Sequence, residues 1–109
     1  KPELWEMQPI DEMYNQRIKD SCMRRSSKKR GIPEMDTSLY TLRLATASVV
    51  YPDLKDAELQ ASYGAVGEEE LLKAMLLPGE IANLYLKVQE VNGFDRDLVE
   101  EDKEEAKNS

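Results

Sequence analysis

The stretch EEELLKAMLLPGEIANLYLKVQEVNGF, residues 68–94, decides the fold because it combines a clear helical pattern with distinctive helix-boundary residues. Its second half places apolar side chains at i, i+3, i+4, i+7 and i+10, which is the spacing of one helix face. Pro78 suits a first helical turn, and Gly93 suits the left-handed residue that closes a helix. The stretch therefore predicts two helices, at 68–77 and 78–92. The apolar face of the second consists of Ile81, Leu84, Tyr85, Val88 and Val91.

Patterns upstream of this stretch predict three more helices. Asp36 and Asp53 are candidate N-caps, and Pro52 ends the helix that Asp36 begins. That helix carries one charge, Arg43, and is apolar on two sides, which is typical of a central core helix. The three helices are predicted at residues 9–25, 37–51 and 54–63.

The N-terminal residues 4–8 alternate between apolar and polar side chains, so they form either a short strand or a coil that packs Trp5 on the core. Residues 95–109 contain seven acidic and three basic side chains and predict a disordered acidic tail. We therefore expect an all-α fold of about five helices in one domain of residues 1–94, with residues 95–109 as a tail.

The composition excludes several function classes. The chain of 109 residues has a net charge of −7, which argues against general affinity for nucleic acid or an anionic membrane. It has no histidine and one cysteine, Cys22, which lies on an apolar helix face and is expected to be a buried hydrophobe. No apolar run reaches the ~18 residues of a membrane span. The single cysteine cannot form an internal disulfide, which fits a reducing cytoplasm. Without histidine, a phosphate-binding loop or a paired-carboxylate cleft, we expect a protein that is not an enzyme and needs no metal or cofactor.

Three consecutive glutamates, residues 68–70, are the strongest candidate for a metal site. Consecutive helical side chains point in different directions, whereas a hard cation needs oxygens that converge. Carboxylates in a first helical turn are stabilised by the helix dipole. The dipole therefore accounts for these glutamates, and no metal site is predicted.

The run RRSSKKR, residues 24–30, holds five positive charges and is followed by helix-breaking Gly31 and Pro33. It predicts a loop that serves either as a docking site for phosphate or an acidic protein surface, or as a solvated linker with an intramolecular role. The acidic balance of the chain favours the second interpretation. The basic candidates for partner binding are Arg24, Arg25, Lys28, Lys29 and Arg30.

Ala82 and Leu86 lie off the apolar face of the 78–92 helix. A large apolar side chain beside small ones can form part of a binding patch, which makes this pair a candidate partner-binding surface. The alternative is that Leu86 packs against Trp5 or the tail. Both interpretations stay open.

The run AELQASYGAVGEEELLKAMLLPGEIANLYLKVQEVNGFD, residues 57–95, resembles the XkdN-like tail assembly chaperones of phages and prophages of Gram-positive bacteria. VVYPDL at 49–54, IDEMYNQRIKDSC at 10–22 and the basic loop after Cys22 follow the same order in that family. The specificity lies in the combination of YG, LLKAMLLPGE and VNGFD at fixed spacing. Family members carry a further segment before the Trp5 region, so the chain is expected to lack part of it.

The resemblance implies a small helper in the host cytoplasm that is absent from the mature virion. It would bind the tape measure protein, receive an amphipathic helix of it in an apolar groove, and recruit tail tube protein. Release would come from competition by tube subunits, because no ATP-binding motif is present. Self-association is left open, and no nucleic acid or membrane partner is implied. The alternative is a structural tail or head–tail adaptor protein that stays in the particle.

Overall fold

A computed structural model of the chain describes residues 4–25 and 31–94. The described residues form five helices and four short strands. In chain order these are β1 (Glu6–Met7), α1 (Glu12–Ser21), β2 (Met23–Arg25), β3 (Pro33–Met35), α2 (Thr37–Ser48), β4 (Val49–Tyr51), α3 (Ala57–Ser62), α4 (Glu68–Met75) and α5 (Pro78–Val91). The predicted tail at 95–109 lies outside the described residues.

The strands form two antiparallel pairs. β1 pairs with β4, and β2 pairs with β3 so that Arg24 lies opposite Glu34 and Arg25 opposite Pro33. The prediction of an all-α fold is therefore wrong, because the described part of the chain is mixed α/β. The five predicted helices are all present, and each interpretation of residues 4–8 holds in part, since Glu6 and Met7 form a strand while Trp5 packs in the core.

The helix predicted at 37–51 ends at Ser48, and the last three residues form β4 instead. Val49 and Val50 are β-branched and favour extended backbone, while Tyr51 precedes Pro52, whose ring disfavours helix at the preceding residue. The antiparallel partner strand β1 then takes up backbone groups of this segment. The residues before Pro52, where the helix was predicted to end, thus form a strand.

The helix predicted at 9–25 is shorter at both ends. It begins after Asp11, whose carboxylate accepts a 2.8 Å hydrogen bond from the Tyr14 N–H. It ends at Ser21 because the chain turns at Cys22, which is buried as predicted and whose carbonyl accepts a 2.9 Å bond from the Asp36 N–H. Arg24 and Arg25, predicted to lie in a loop, therefore belong to β2.

The helix predicted at 54–63 begins at Ala57, and its cap is Asp56. The Asp56 carboxylate accepts from the N–H groups of Glu58 and Leu59. Asp53, the predicted cap, instead accepts a 3.0 Å bond from the Lys55 N–H, a local turn that competes with helix.

The predicted central position of α2 is confirmed, since it contacts α1, α4 and α5. On α5, Leu84 and Val88 are buried, and the predicted closure is present: Gly93 has φ 82°, and the Phe94 N–H donates a 2.9 Å bond to the Gln89 carbonyl. The buried core consists of Trp5, Leu42, Leu44, Ala45, Val49, Leu54, Leu71, Leu72, Leu76, Leu84 and Val88.

Arg43 connects three helices at the side of this core. Its guanidinium donates to the Ser21 carbonyl at 3.0 Å and to the Ser21 hydroxyl at 2.9 Å, and its Nε lies 3.3 Å from Glu69 Oε2. The single charge of the central helix thus joins the end of α1 to the start of α4. This contact fixes the first turn of α4 against α2.

Candidate partner-binding site

A groove of about 520 Å³ opens between the first half of α2, α4 and α5. Its apolar part comes from Leu39 and Leu42 of α2 and the ring of Tyr85 on α5, and hydroxyl groups of α2 line the rest. We call it the α2–α5 groove. Its lining consists of Asp36, Thr37, Ser38, Leu39, Thr41, Leu42, Lys73 and Tyr85.

Two polar groups of this groove are without partners in the described part of the chain. Lys73 forms no ion pair there, and the Tyr85 hydroxyl forms no hydrogen bond there. Burial raises the pKa of Tyr85 above its ordinary value of 10.0, so this hydroxyl stays protonated and can donate. Asp36, by contrast, accepts a 3.1 Å bond from the Leu39 N–H as the cap of α2. The groove therefore offers an ammonium and a hydroxyl beside an apolar floor.

Ala82 and Leu86 lie on α5 close in sequence to the groove residue Tyr85. They are one helical turn apart, and Ala82 precedes Tyr85 by three residues, so the three side chains lie on adjacent positions of one side of the helix. Ala82 is exposed. Leu86 is 56% exposed and is not part of the buried core. The structure thus leaves this predicted pair exposed on α5, and neither residue lines the α2–α5 groove.

The basic candidates lie elsewhere. Arg24 and Arg25 are exposed on β2 and do not line the α2–α5 groove. Lys28, Lys29 and Arg30 lie outside the described residues. The sequence-predicted candidates therefore do not form one site: Ala82 and Leu86 lie together on α5, Arg24 and Arg25 lie on β2, and none of the four lines the groove.

Sequence reasoning missed Leu39, Lys73 and Tyr85 as groove residues. It placed Leu39 and Tyr85 on core-facing helix sides, and both are in fact half-buried. Half-burial arises where a helix face is wider than the neighbour that covers it, which a periodic pattern does not report. Lys73 carried no signal, because an isolated lysine on a helix is ordinary.

The glutamates at 68–70 occupy the first turn of α4, as predicted. Glu69 contacts Arg43, and Glu70 Oε2 accepts a 2.7 Å bond from the Val66 N–H. Among residues 4–25 and 31–94, no group of three or more cysteine or acidic side chains could hold a metal ion. Within the same ranges, no helix has the length and apolar character needed to cross a membrane.

A family model described as the phage XkdN-like tail assembly chaperone protein matches residues 1–107. The chain belongs to this family. The family resemblance found in the sequence is thereby confirmed, and with it the class of tail assembly chaperone.

Two curated relatives of this XkdN-like chaperone come from Bacillus subtilis (strain 168). The phage-like element PBSX protein XkdN is 36% identical over 101 residues, which is 91% of this chain and 65% of the relative. The protein YqbN is 38% identical over 99 residues, which is 89% of this chain and 62% of the relative. The chain thus spans less than two thirds of the length of either relative.

A solved structure supports the same fold. The crystal structure of YqbN is similar with a TM-score of 0.69 and 27% sequence identity, covering 84% of this chain and 70% of that one. The mixed α/β arrangement described above is therefore similar to that of a relative in the family.

Proposed function

We propose that this XkdN-like chaperone binds an amphipathic helix of the tape measure protein in the α2–α5 groove during tail morphogenesis. The observation that carries the proposal is the exposed Leu86, which lies with Ala82 next to Tyr85 on α5, the helix whose Tyr85 ring lines that groove. Tail tube subunits would be recruited to this complex and would then displace the chaperone. The protein would act in the host cytoplasm and leave before the virion is complete.

The energetics of the groove favour an apolar ligand. Burying one large aliphatic side chain contributes about 1.5–3 kcal/mol, so several client side chains must be buried together with Leu86 to offset the roughly 4–15 kcal/mol that association costs. An amphipathic helix presents such side chains at i, i+3, i+4 and i+7, which matches a groove between two helices. The half-buried Leu39 and Tyr85 would lose their remaining water on binding.

The polar groups of the groove support a binding role without chemistry. Asp36 is engaged as a helix cap, which leaves an ammonium and a phenol but no acid–base pair in the lining. Lys73 can pair with a carboxylate of the client helix, and the Tyr85 hydroxyl can donate to a client carbonyl. We therefore propose release by competition, in which tube subunits bind the same client more tightly in its assembled state.

Co-expression with the tape measure protein of the same phage tests the proposal. We expect a higher soluble yield of that client and co-purification of the two proteins, with no effect of added nucleotide. Leu86→Glu should lower the co-purified amount, because it places a charge on the exposed apolar surface of α5 next to the groove residue Tyr85. The control Met13→Glu alters an apolar side chain of α1 that is 69% exposed and should not change it.

The proposal fails if wild-type protein does not raise the client's solubility and does not co-purify with it. It also fails, as to the site, if Leu86→Glu and Met13→Glu reduce co-purification equally. In that case the client would bind a surface other than the α2–α5 groove.

A further inference from the structure

The last described residue, Phe94, lies beside α1, mainly along its N-terminal half. A second cavity of about 300 Å³ is lined by Phe94 and by three charged residues of the α1 region, Asp11, Glu12 and Lys19. The acidic pair lies where α1 begins, and Lys19 lies in its last turn. The chain that follows Phe94 therefore starts between a negative and a positive end of the same helix.

A positively charged surface continues from Lys19. The chain reaches Arg24 and Arg25 in β2 within six residues, so Arg25 lies at most ~20 Å from Lys19. Both arginines are exposed and form no ion pair within the described residues. The acidic neighbours are Asp20, which accepts a hydrogen bond from Gln16, and Glu34 of β3, which is half-buried. Asp20 is exposed and keeps its charge, so the three cations and these two carboxylates leave a net charge of +1 at this end.

The segment after Phe94 has the complementary charge. Residues 95–109 contain seven of the 22 acidic residues of the chain and only three basic ones. Asp97 is the third residue after Phe94, and Glu105 is the eleventh. Eleven residues of extended chain span up to ~36 Å. The two arginines are therefore within reach, while Asp11 and Glu12 repel the same segment.

We propose that the acidic segment of residues 97–105 docks on the basic surface formed by Lys19, Arg24 and Arg25. Individual exposed ion pairs are weak, but a short tether gives the segment a millimolar effective concentration at this surface. The contact gives the basic strand an internal partner, so β2 is covered in the free protein. An external acidic partner would have to displace the segment first. This inference concerns a surface other than the α2–α5 groove and goes beyond the proposed function.

Paramagnetic relaxation in the purified full chain tests the docking. A nitroxide attached at Ala106→Cys should broaden the amide signals of Met23, Arg24 and Arg25 more than that of Lys55. The native Cys22 is 1% exposed and is protected from labelling. The extra broadening should be lost in about 1 M salt, where the Debye length is ~3 Å.

Two double variants separate a specific contact from total charge. Arg24→Gln with Arg25→Gln should abolish the extra broadening at position 23, whereas Lys55→Gln with Lys87→Gln removes the same charge elsewhere and should preserve it. Equal broadening at Met23 and Lys55 at low salt would overturn the proposal. The proposal would also be overturned if, in a mixture of nitroxide-labelled and isotope-enriched chains, the broadening arose only between different copies. The contact would then be with a second chain. Because no client is present, the result is independent of tape measure binding.

Discussion

The side-chain amide of Asn92 donates a hydrogen bond of 2.9 Å to the hydroxyl of Ser48, which is fully buried at the end of α2. The same amide donates to the Val88 carbonyl at 2.9 Å, and its oxygen accepts a 2.9 Å bond from the Ile10 N–H. Asn92 thus connects the N-terminal segment, α2 and α5 through partly buried hydrogen bonds. The helix-closing VNGF sequence therefore also holds three parts of the fold together.

Replacing Asn92 should destabilise the fold markedly. Asn92→Ala removes three hydrogen bonds and leaves the Ser48 hydroxyl buried without this partner, which should cost about 2–4 kcal/mol. The control Asn83→Ala, at an exposed position of the same helix, should change stability by less than about 0.5 kcal/mol. Denaturant unfolding of the three proteins measures the difference. Equal effects of the two substitutions would show that the Asn92 contacts contribute little.

Truncation of two leucines of α5 should lower stability by very different amounts. Leu84 is 0% exposed and Leu86 is 56% exposed, although they are two residues apart. Leu84→Ala should lower the free energy of unfolding by about 2–5 kcal/mol, because it leaves a cavity in the core. Leu86→Ala should cost less than about 1 kcal/mol, because its side chain is already largely in water. A large loss of stability for Leu86→Ala would mean that Leu86 packs within the fold.

The pairs of caps and breakers in the sequence predicted the helices well because they act within a few residues. Asp36 and Pro78 each begin a helix and Gly93 ends one, as their local chemistry indicates and independently of the rest of the chain. The apolar periodicity likewise identified α2 as the central helix. These features depend on neighbours in sequence, so they can be recognised without the structure.

The strands and the groove could not be predicted in the same way. β1 pairs Glu6 with Tyr51, a contact between distant parts of the chain. Strands of two or three residues are too short to be recognised from their sequence pattern. In β2 the charge of Arg24 and Arg25 suggested a loop, whereas their pairing with β3 satisfies the backbone. The groove depends on how far α4 and α5 separate beside Leu39, which is set by packing rather than by pattern.

Tyr40 should make stability depend on pH in the alkaline range. Burial first, and then the charge of Glu12, raise the pKa of Tyr40 above its ordinary value of 10.0. The folded protein therefore keeps this proton to higher pH than the unfolded chain, so the stabilisation is complete below pH 10.0 and is lost as pH rises through the folded-state pKa.

Tyr40→Phe tests this dependence. It removes the 2.6 Å hydrogen bond to Asn15 Oδ1 and should lower stability near neutral pH by about 0.5–1.5 kcal/mol. It should also make the loss of stability at alkaline pH shallower. Part of that loss should remain, because the pKa of Tyr85 is raised as well. The control Tyr63→Phe, at an exposed position, should follow the wild type. An unchanged slope for Tyr40→Phe would contradict this assignment.

The most direct test of the account is capture of the tape measure protein by the purified chaperone at about 0.05 M and about 1 M salt, between which the Debye length falls to ~3 Å. Apolar burial in the α2–α5 groove predicts that binding persists at the higher salt, with only a modest loss from Lys73. Binding that disappears at high salt would assign the contact to charged surfaces such as Arg24 and Arg25. Absence of binding at both salt concentrations, with both proteins folded, would contradict the account and favour a structural protein retained in the phage particle.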